Sequence, residues 1–305
     1  MANQLKHRED FYVERIVIVG VGLIGGSLAR VLKSQRVVGE VIGVGRTPEA
    51  LQHAVDLGVI DRFEITIGAC VDGADVVVIA TPLGAMPGLF AEMASRLSAH
   101  TVVTDVGSVK RAPVEAARAT LGNRFTRYVP AHPVAGTEQS GVAASFKELF
   151  EGHKVILTPL VDTDPDAIRI VTDLWTIAGA KTITMTVSEH DRILATTSHL
   201  PHMLAYALVE FVAGQQAAEQ HFNLAAGGFY DFTRIASSDP VMWRDICLSN
   251  SDELTAKLRE FSRHLDRLTN SIERADGQQL HGVFDNARRM RAAALESSCL
   301  TVTKK

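Results

Sequence analysis

An α/β domain built on a parallel sheet, followed by an all-α domain, is the fold class that this 305-residue sequence predicts. Three observations carry it. Short apolar runs rich in β-branched residues alternate with helix-period segments as far as residue 187, as in a sheet covered on both faces. The first of these runs leads directly into Gly20-Val-Gly22-Leu-Ile-Gly25, a glycine-rich strand-to-helix turn. Beyond Val187 no strand pattern recurs, and what remains reads as helix.

Residues 15–19 read as a buried strand, and residues 23–33 as the helix after the turn. A second strand covers 41–44. Pro48 opens a helix to residue 57, with Gly58 as its stop. Residues 75–80 form the next apolar strand, ended by Thr81-Pro82, and 84–97 the next helix. Residues 101–104 are a strand ending at Asp105, followed by a helix over 109–121 and an extended run over 125–131. Strand 154–158, helix 165–178 and strand 181–186 extend the alternation, which implies parallel strands joined by helical crossovers. Ser188 is the expected N-cap of the helical part. The expected domains are therefore 1–187 and 188–305. Leu254, Leu258, Phe261, Leu265, Leu268 and Ile272 alternate gaps of four and three, the spacing of a helix-helix seam, which fits a core face and a subunit interface equally well.

Composition narrows the function. The chain is 46% hydrophobic with a net charge of −4 and no run of positive charge, which argues against nucleic acid as a partner. Its three cysteines (Cys70, Cys247, Cys299) are widely spaced without a CxxC, unlike a disulfide framework or a zinc site. The N-terminus is too polar for a secretory signal, and no apolar run is long enough to cross a bilayer. A soluble cytoplasmic protein with no membrane partner is the expectation.

The glycine turn fits GxGxxG in its required context, closing a strand and opening a helix. This is the fingerprint of a Rossmann-like dinucleotide-binding domain. Gly20 allows the sharp turn, Gly22 lets the backbone approach a pyrophosphate, and Gly25 lets helix and strand pack closely. The helix start, with Leu23 and Ile24, offers free N–H groups to phosphates. Thr81 and Pro82, after another strand end, belong to the same expected cofactor site. An NAD enzyme usually places an acid after the second strand. Here Gly45-Arg46-Thr47 follows it. Arg46 can pair with a 2′-phosphate and Thr47 can donate to it, so NADP is expected over NAD.

Ligands of open α/β sheets bind beyond the carboxyl ends of the strands. Thr81-Pro82, Asp105-Val-Gly107-Ser108 and His132-Pro133 follow such ends and should face one crevice. Ser198-His199-Leu-Pro201-His202 and Asp231-Phe-Thr-Arg234 follow in the helical part. His199 and His202 share a helical face, and Pro201 should kink or loosen their helix. Two histidines without a third ligand make a poor metal site, and no metal is expected.

These residues carry a resemblance to the prephenate/arogenate (cyclohexadienyl) dehydrogenase family of tyrosine biosynthesis. It covers about residues 13–290. It rests on residues 17–27, Ala80-Thr-Pro82, residues 104–110 (Thr-Asp-Val-Gly-Ser-Val-Lys), residues 132–141 (His-Pro-Val-Ala-Gly-Thr-Glu-Gln-Ser-Gly), residues 155–159, Ser198-His-Leu-Pro-His202 and Asp231-Phe-Thr-Arg-Ile-Ala236, in that order. The resemblance implies oxidative decarboxylation of a cyclohexadienol that carries a ring carboxylate and a pyruvyl or alanyl side chain. It implies that His132 is the catalytic base and that Ser108 bonds the same hydroxyl. It further implies that His202 meets the ring carboxylate, with His199 beside it, and that Arg234 binds a carboxylate. Thr137 and Glu138 match loop positions at the substrate mouth, and Asp231 either holds Arg234 or caps a helix. It also implies a homodimer built from the C-terminal helices. The stand-alone form, without a regulatory domain, is the one resembled, so any feedback by tyrosine would act by competition at the substrate site. Prephenate against L-arogenate stays open, with acceptance of both as the default. Two alternatives also stand. One is another hydroxyacid dehydrogenase of the same architecture, although such enzymes use a lysine base and Lys257 is the only lysine between residue 188 and the tail. The other is a non-catalytic NADP-sensing protein.

Overall fold

A computed structural model describes residues 11–137 and 139–299, apart from the side chains of 297–299. The chain divides into two compact units, Met1–Ser251 and Asp252–Lys305.

The first unit opens with β1 (Val13–Val19), α1 (Leu23–Gln35), β2 (Val38–Val44), α2 (Pro48–Asp56) and β3 (Arg62–Glu64). There follow β4 (Val76–Ile79), α3 (Met86–Met93), β5 (Val102–Asp105), α4 (Arg111–Thr120) and β6 (Tyr128–Val129). These six strands form one parallel sheet in the order β3-β2-β1-β4-β5-β6. Period-two alternation sends Ile16, Ile18, Val76 and Val78 into a core under α1 and α2. It sends Val17, Val19, Val77 and Ile79 into a second core under α3 and α4. Each fully buried Ile or Val contributes roughly 1.5–3 kcal/mol, and burial on both faces is why these strands are apolar at every position.

The strand order reverses between β1 and β4, and the ends of those two strands meet closely. A Cβ on Gly20 would stand 2.4 Å from the Ala80 carbonyl oxygen, and Gly20 itself has φ +98°. One on Gly25 would lie 2.2 Å from the Gly20 oxygen. No side chain fits at either place, so the fingerprint glycines are demanded by the packing of turn against strand.

The expected continuation of the parallel alternation past residue 125 needs correction. The extended run divides at Pro130, which has no N–H to give to a ladder. Before it, β6 completes the large sheet. After it, β7 (Ala131–Val134), β8 (Lys154–Leu157) and β9 (Lys181–Thr184) form a separate three-stranded sheet. Within that sheet β7 runs antiparallel to β8, with His132 opposite Ile156, and β9 runs parallel to β8. The crossover from β8 to β9 is α5 (Pro165–Ile177), capped by the Asp164 carboxylate, which accepts from Asp166 N.

The helical part begins with α6 (Val187–Leu194). Its N-cap is Thr186, not Ser188. Thr186 Oγ1 accepts from Glu189 N at 3.2 Å, and the Glu189 carboxylate accepts from Thr186 N at 3.0 Å, a reciprocal capping box. A π-helical turn, Ala195–His199, then joins α6 to α7 (Leu200–Ala213). Pro201 sits in the first turn of α7, so the expected loosening takes the form of a widened turn just before the proline. Next come α8 (Ala218–Leu224), α9 (Gly227–Thr233), a 3-10 turn (Arg234–Ser237) and α10 (Pro240–Ser249). The second unit consists of α11 (Ser251–Glu273) and α12 (Gly277–Cys299). On these two helices Leu265, Ile272, Phe284, Met290 and Leu295 are exposed. Among the described residues no helix is long and apolar enough to cross a membrane.

Candidate active site

The glycine turn leaves a cradle at the start of α1. Gly22 is the N-cap and gives no side-chain cap, and the first turn carries no acid. A Cβ built on Gly22 meets nothing within 4 Å, in contrast to Gly20 and Gly25. The N–H groups that open the helix, at Leu23 and Ile24, therefore face unfilled space with a positive dipole end behind them. This arrangement fits a dinucleotide pyrophosphate. Across the switch point the Thr81 hydroxyl is buried without a partner, and Pro82 beside it is exposed. Arg46 and Thr47 are exposed past the end of β2. Arg46 makes no ion pair among the described residues, and the Thr47 hydroxyl is not used to cap α2.

His132 is placed by a staple between the two sheets. Asp105, the last residue of β5, has no exposed surface. Its carboxylate accepts from Lys110 Nζ, from Tyr128 Oη at 2.8 Å and from Gly107 N at 2.9 Å. The same ammonium donates to the Ala131 carbonyl, immediately before His132. Burial lowers the pKa of Lys110, and Asp105 counters this by favouring the ammonium. Burial and the neighbouring carboxylate hold Tyr128 well above its usual range, so it remains a neutral donor.

His132 lies on β7 and is 9% exposed. Its Nδ1 is 2.8 Å from His190 Nε2, and His190 Nδ1 is 2.7 Å from Asp191 Oδ1. His190 and Asp191 belong to α6 and are buried. Asp191 also accepts the main-chain N–H groups of Lys110 (2.8 Å) and Arg111 (2.9 Å), so the loop that carries Ser108 and the helix that carries His190 share one carboxylate. Burial, with His190, Lys110 and His199 nearby, pushes the His132 pKa well below the ordinary histidine value. The imidazole is therefore neutral at neutral pH, with Nε2 as the ring nitrogen not engaged by His190.

The network continues to the other histidines. Asn250 Nδ2 donates to the Asp191 carbonyl at 2.9 Å and lies 3.1 Å from His199 Nδ1. His199 has no exposed surface, and burial lowers its pKa to about 4. Its Nε2 is buried without a hydrogen-bond partner among the described residues. The His199 side chain thus lies wholly within this buried network. His202 is half-buried, donates Nδ1–H to the Ser198 carbonyl at 2.9 Å and stacks on Trp243 with ring centroids 3.6 Å apart. Its Nε2 is left unused.

The loop that carries Ser108 is thus linked to His132 and His202 through Asp191, His190, Asn250, His199 and Trp243, the last two with ring centroids 6.1 Å apart. Ser108 is half-buried in the loop before α4. Arg234 is exposed on a turn that packs against α7, the helix of His202. Asp231 is exposed within α9 and is not at its cap, which rules out the capping alternative. Thr137 is exposed and its hydroxyl accepts Gln139 N at 3.2 Å; Glu138 lies outside the described residues. Among the described residues no group of three or more His, Cys, Asp or Glu is placed to hold a metal. Sequence reasoning missed His190, Asp191, Asn250 and the staple role of Lys110. The adjacent His190-Asp191 pair was the available signal, but its meaning depends on β7, far away in the chain.

Comparison with known proteins gives the family of the chain. A family model described as the prephenate dehydrogenase nucleotide-binding domain matches residues 28–184, and one described as the prephenate dehydrogenase dimerization domain matches residues 186–286. The chain is 36% identical over 282 residues to a cyclohexadienyl dehydrogenase of Zymomonas mobilis, covering 92% of this chain and 96% of that protein. The crystal structure of prephenate dehydrogenase from Aquifex aeolicus with hydroxyphenyl propionate and NAD+ superposes with a TM-score of 0.88 at 36% identity, covering 93% of this chain and 99% of that one. Synechocystis arogenate dehydrogenase superposes with a TM-score of 0.76 at 29% identity, covering 92% and 99%. Matched by both family models along residues 28–184 and 186–286 and 36% identical to a relative over nearly its whole length, the chain belongs to the prephenate dehydrogenase family.

Proposed function

We propose that the protein catalyses oxidative decarboxylation of prephenate, L-arogenate or both to the aromatic product, with NADP preferred over NAD. The observation that carries the reading is the state of His132: neutral, nearly buried, one ring nitrogen engaged and the other left for a substrate. A base in that state can accept the proton of a carbinol as hydride departs. When bound, the oxidised nicotinamide supplies the hydride acceptor, and Gly20, Gly22, Leu23, Ile24, Gly25, Thr81 and Pro82 would hold the dinucleotide. Ser108 orients the substrate hydroxyl towards His132. His202, its ring fixed by Trp243, presents Nε2 to the ring carboxylate. Arg234 supplies a planar cation for the side-chain carboxylate, and Thr137 and Glu138 are the loop residues proposed to meet the substrate. Loss of CO₂ aromatises the ring, so the protein's task is to position the substrate and keep His132 unprotonated.

Arg46 and Thr47 support the nucleotide preference, since no acid follows β2 to repel a 2′-phosphate. The apolar side chains exposed on α11 and α12 support assembly of the protein as a homodimer. Tyrosine, the product from L-arogenate and an analogue of the product from prephenate, would compete at the substrate site. Steady-state kcat/KM for prephenate and L-arogenate, each with NADP and NAD, tests the proposal. Turnover of neither substrate with either nucleotide overturns it. Sedimentation at micromolar concentration tests the dimer, and a monomer there rejects it.

A further inference from the structure

We propose that His190 and Asp191 form a positioning pair that fixes His132 in the one neutral tautomer able to act as a base, with the hydrogen on Nδ1 and the lone pair on Nε2. This inference rests on the function proposed above and adds two residues of α6 to it.

The argument is one of donors and acceptors. An ionised carboxylate only accepts. Asp191 accepts from the Lys110 and Arg111 main chain, and its remaining close neighbour is His190 Nδ1 at 2.7 Å. Burial works against the charge of Asp191, but the His190 hydrogen bond and the two N–H groups outweigh it and hold the carboxyl below its usual range. His190 Nδ1 therefore carries a hydrogen. A neutral imidazole has one N–H, and His190 is kept neutral by burial and by the nearby Lys110 ammonium, against the opposing pull of Asp191. Its Nε2 is then a bare acceptor. The atom 2.8 Å from it is His132 Nδ1, which must donate. His132 Nε2 is left with its lone pair.

In the other tautomer His132 would present an N–H to the substrate hydroxyl and could not take its proton. The pair also serves the reacting state. When the substrate O–H bond breaks and the Nε2–H bond forms, His132 becomes an imidazolium. Its positive charge then donates through Nδ1–H to His190, whose far side is held by the Asp191 carboxylate. No further proton has to move.

Two experiments test the pair. The first is 15N NMR of the wild-type protein labelled at histidine, with the His132 resonances assigned by their loss in His132→Asn. A protonated Nδ1 and a bare Nε2 are expected; a protonated Nε2 overturns the proposal. The second compares His190→Leu with His190→Gln, whose amide oxygen can still accept from His132 Nδ1. His190→Leu should lower kcat about 10²-fold or more, with substrate KM within about threefold, and His190→Gln should recover at least about tenfold of that loss. A His190→Leu enzyme with wild-type kcat, or a folded His190→Gln enzyme no better than His190→Leu, overturns the pair. Should His190→Leu not fold, the wild-type tautomer decides alone. Absence of wild-type turnover would reject the proposed reaction while leaving the tautomer measurement valid, so the two failures are told apart.

Discussion

Lys110 Nζ binds the Asp105 carboxylate and the Ala131 carbonyl at once, so a single wholly buried ammonium joins the last residue of β5 to the residue before His132. A buried ion pair adds little net stability over an apolar substitute, yet removing one partner leaves an uncompensated buried charge. Lys110→Met should therefore destabilise the protein by about 3–5 kcal/mol in urea titration, while Lys110→Met combined with Asp105→Asn should regain part of that loss. A single variant within about 1 kcal/mol of wild type would show that the staple does not hold the two sheets together.

The fingerprint glycines separate into two kinds. Alanine at Gly20 or Gly25 forces a Cβ to within 2.4 Å or 2.2 Å of a backbone oxygen, whereas alanine at Gly22 meets no protein atom within 4 Å. Gly25→Ala should cost about 1–3 kcal/mol of stability through overpacking. Gly22→Ala should melt within a degree or two of wild type yet raise the nucleotide KM about tenfold or more, a loss of ~1.4 kcal/mol or more of binding. Thermal melts set beside nucleotide titrations make the comparison. A Gly22→Ala protein that binds nucleotide normally would place the pyrophosphate elsewhere.

The proposed preference for NADP rests on Arg46. A charge-assisted hydrogen bond to a phosphate is worth about 1.5–3 kcal/mol. Arg46→Ala should then raise the KM for NADP by roughly 10- to 100-fold and leave that for NAD within about twofold. Equal effects on both nucleotides, or a wild-type enzyme that already favours NAD, would remove Arg46 from the recognition of a 2′-phosphate.

The proposed base and the proposed carboxylate partner should separate kinetically. His132→Asn removes the base and should lower kcat by about 10²–10⁴-fold with little change in substrate KM. Arg234→Gln removes a carboxylate partner and should mainly raise KM. Unchanged kcat in the first variant would take His132 out of the chemistry.

The large sheet was legible because strands covered on both faces carry β-branched residues without interruption, as residues 15–19 and 75–80 do. The division at Pro130 was not, because 125–131 reads as one extended run in sequence, whereas Gly122–Arg127 form a 3-10 turn and only the pairing of β6 and β7 reveals two sheets. Glycine spacing located the strand-to-helix turn at Gly20–Gly25, whereas His132, expected just past a strand end, lies within β7 of the second sheet. His190 and Asp191 stayed hidden because, on α6, they read like any polar pair near a helix start. Their role exists only through contacts with β7 and with the loop before α4. Lys110 was hidden for the same reason: nothing local says that a lysine after Gly107-Ser108-Val109 turns inward.

Those same buried histidines make the fold sensitive to acid. His132, His190, His199 and His202 all have pKa values lowered chiefly by burial. Between the folded and unfolded values the unfolded chain binds more protons, so stability rises with pH across that window. The contribution is complete above the ordinary value of 6.5 and drains away as pH falls towards the folded values. For the wholly buried His199 the window runs from 6.5 to about 4, worth ~3 kcal/mol. Urea titrations at steps between about pH 7.5 and about pH 4.5 should show stability falling with acid, and His199→Gln should flatten that slope even if its stability at neutral pH is lower. Activity should track the same groups: kcat/KM should stay level through neutral pH and fall only below the ordinary histidine range, where His132 gains its proton. An acid slope identical in wild type and His199→Gln would mean that this imidazole is not buried in its neutral form.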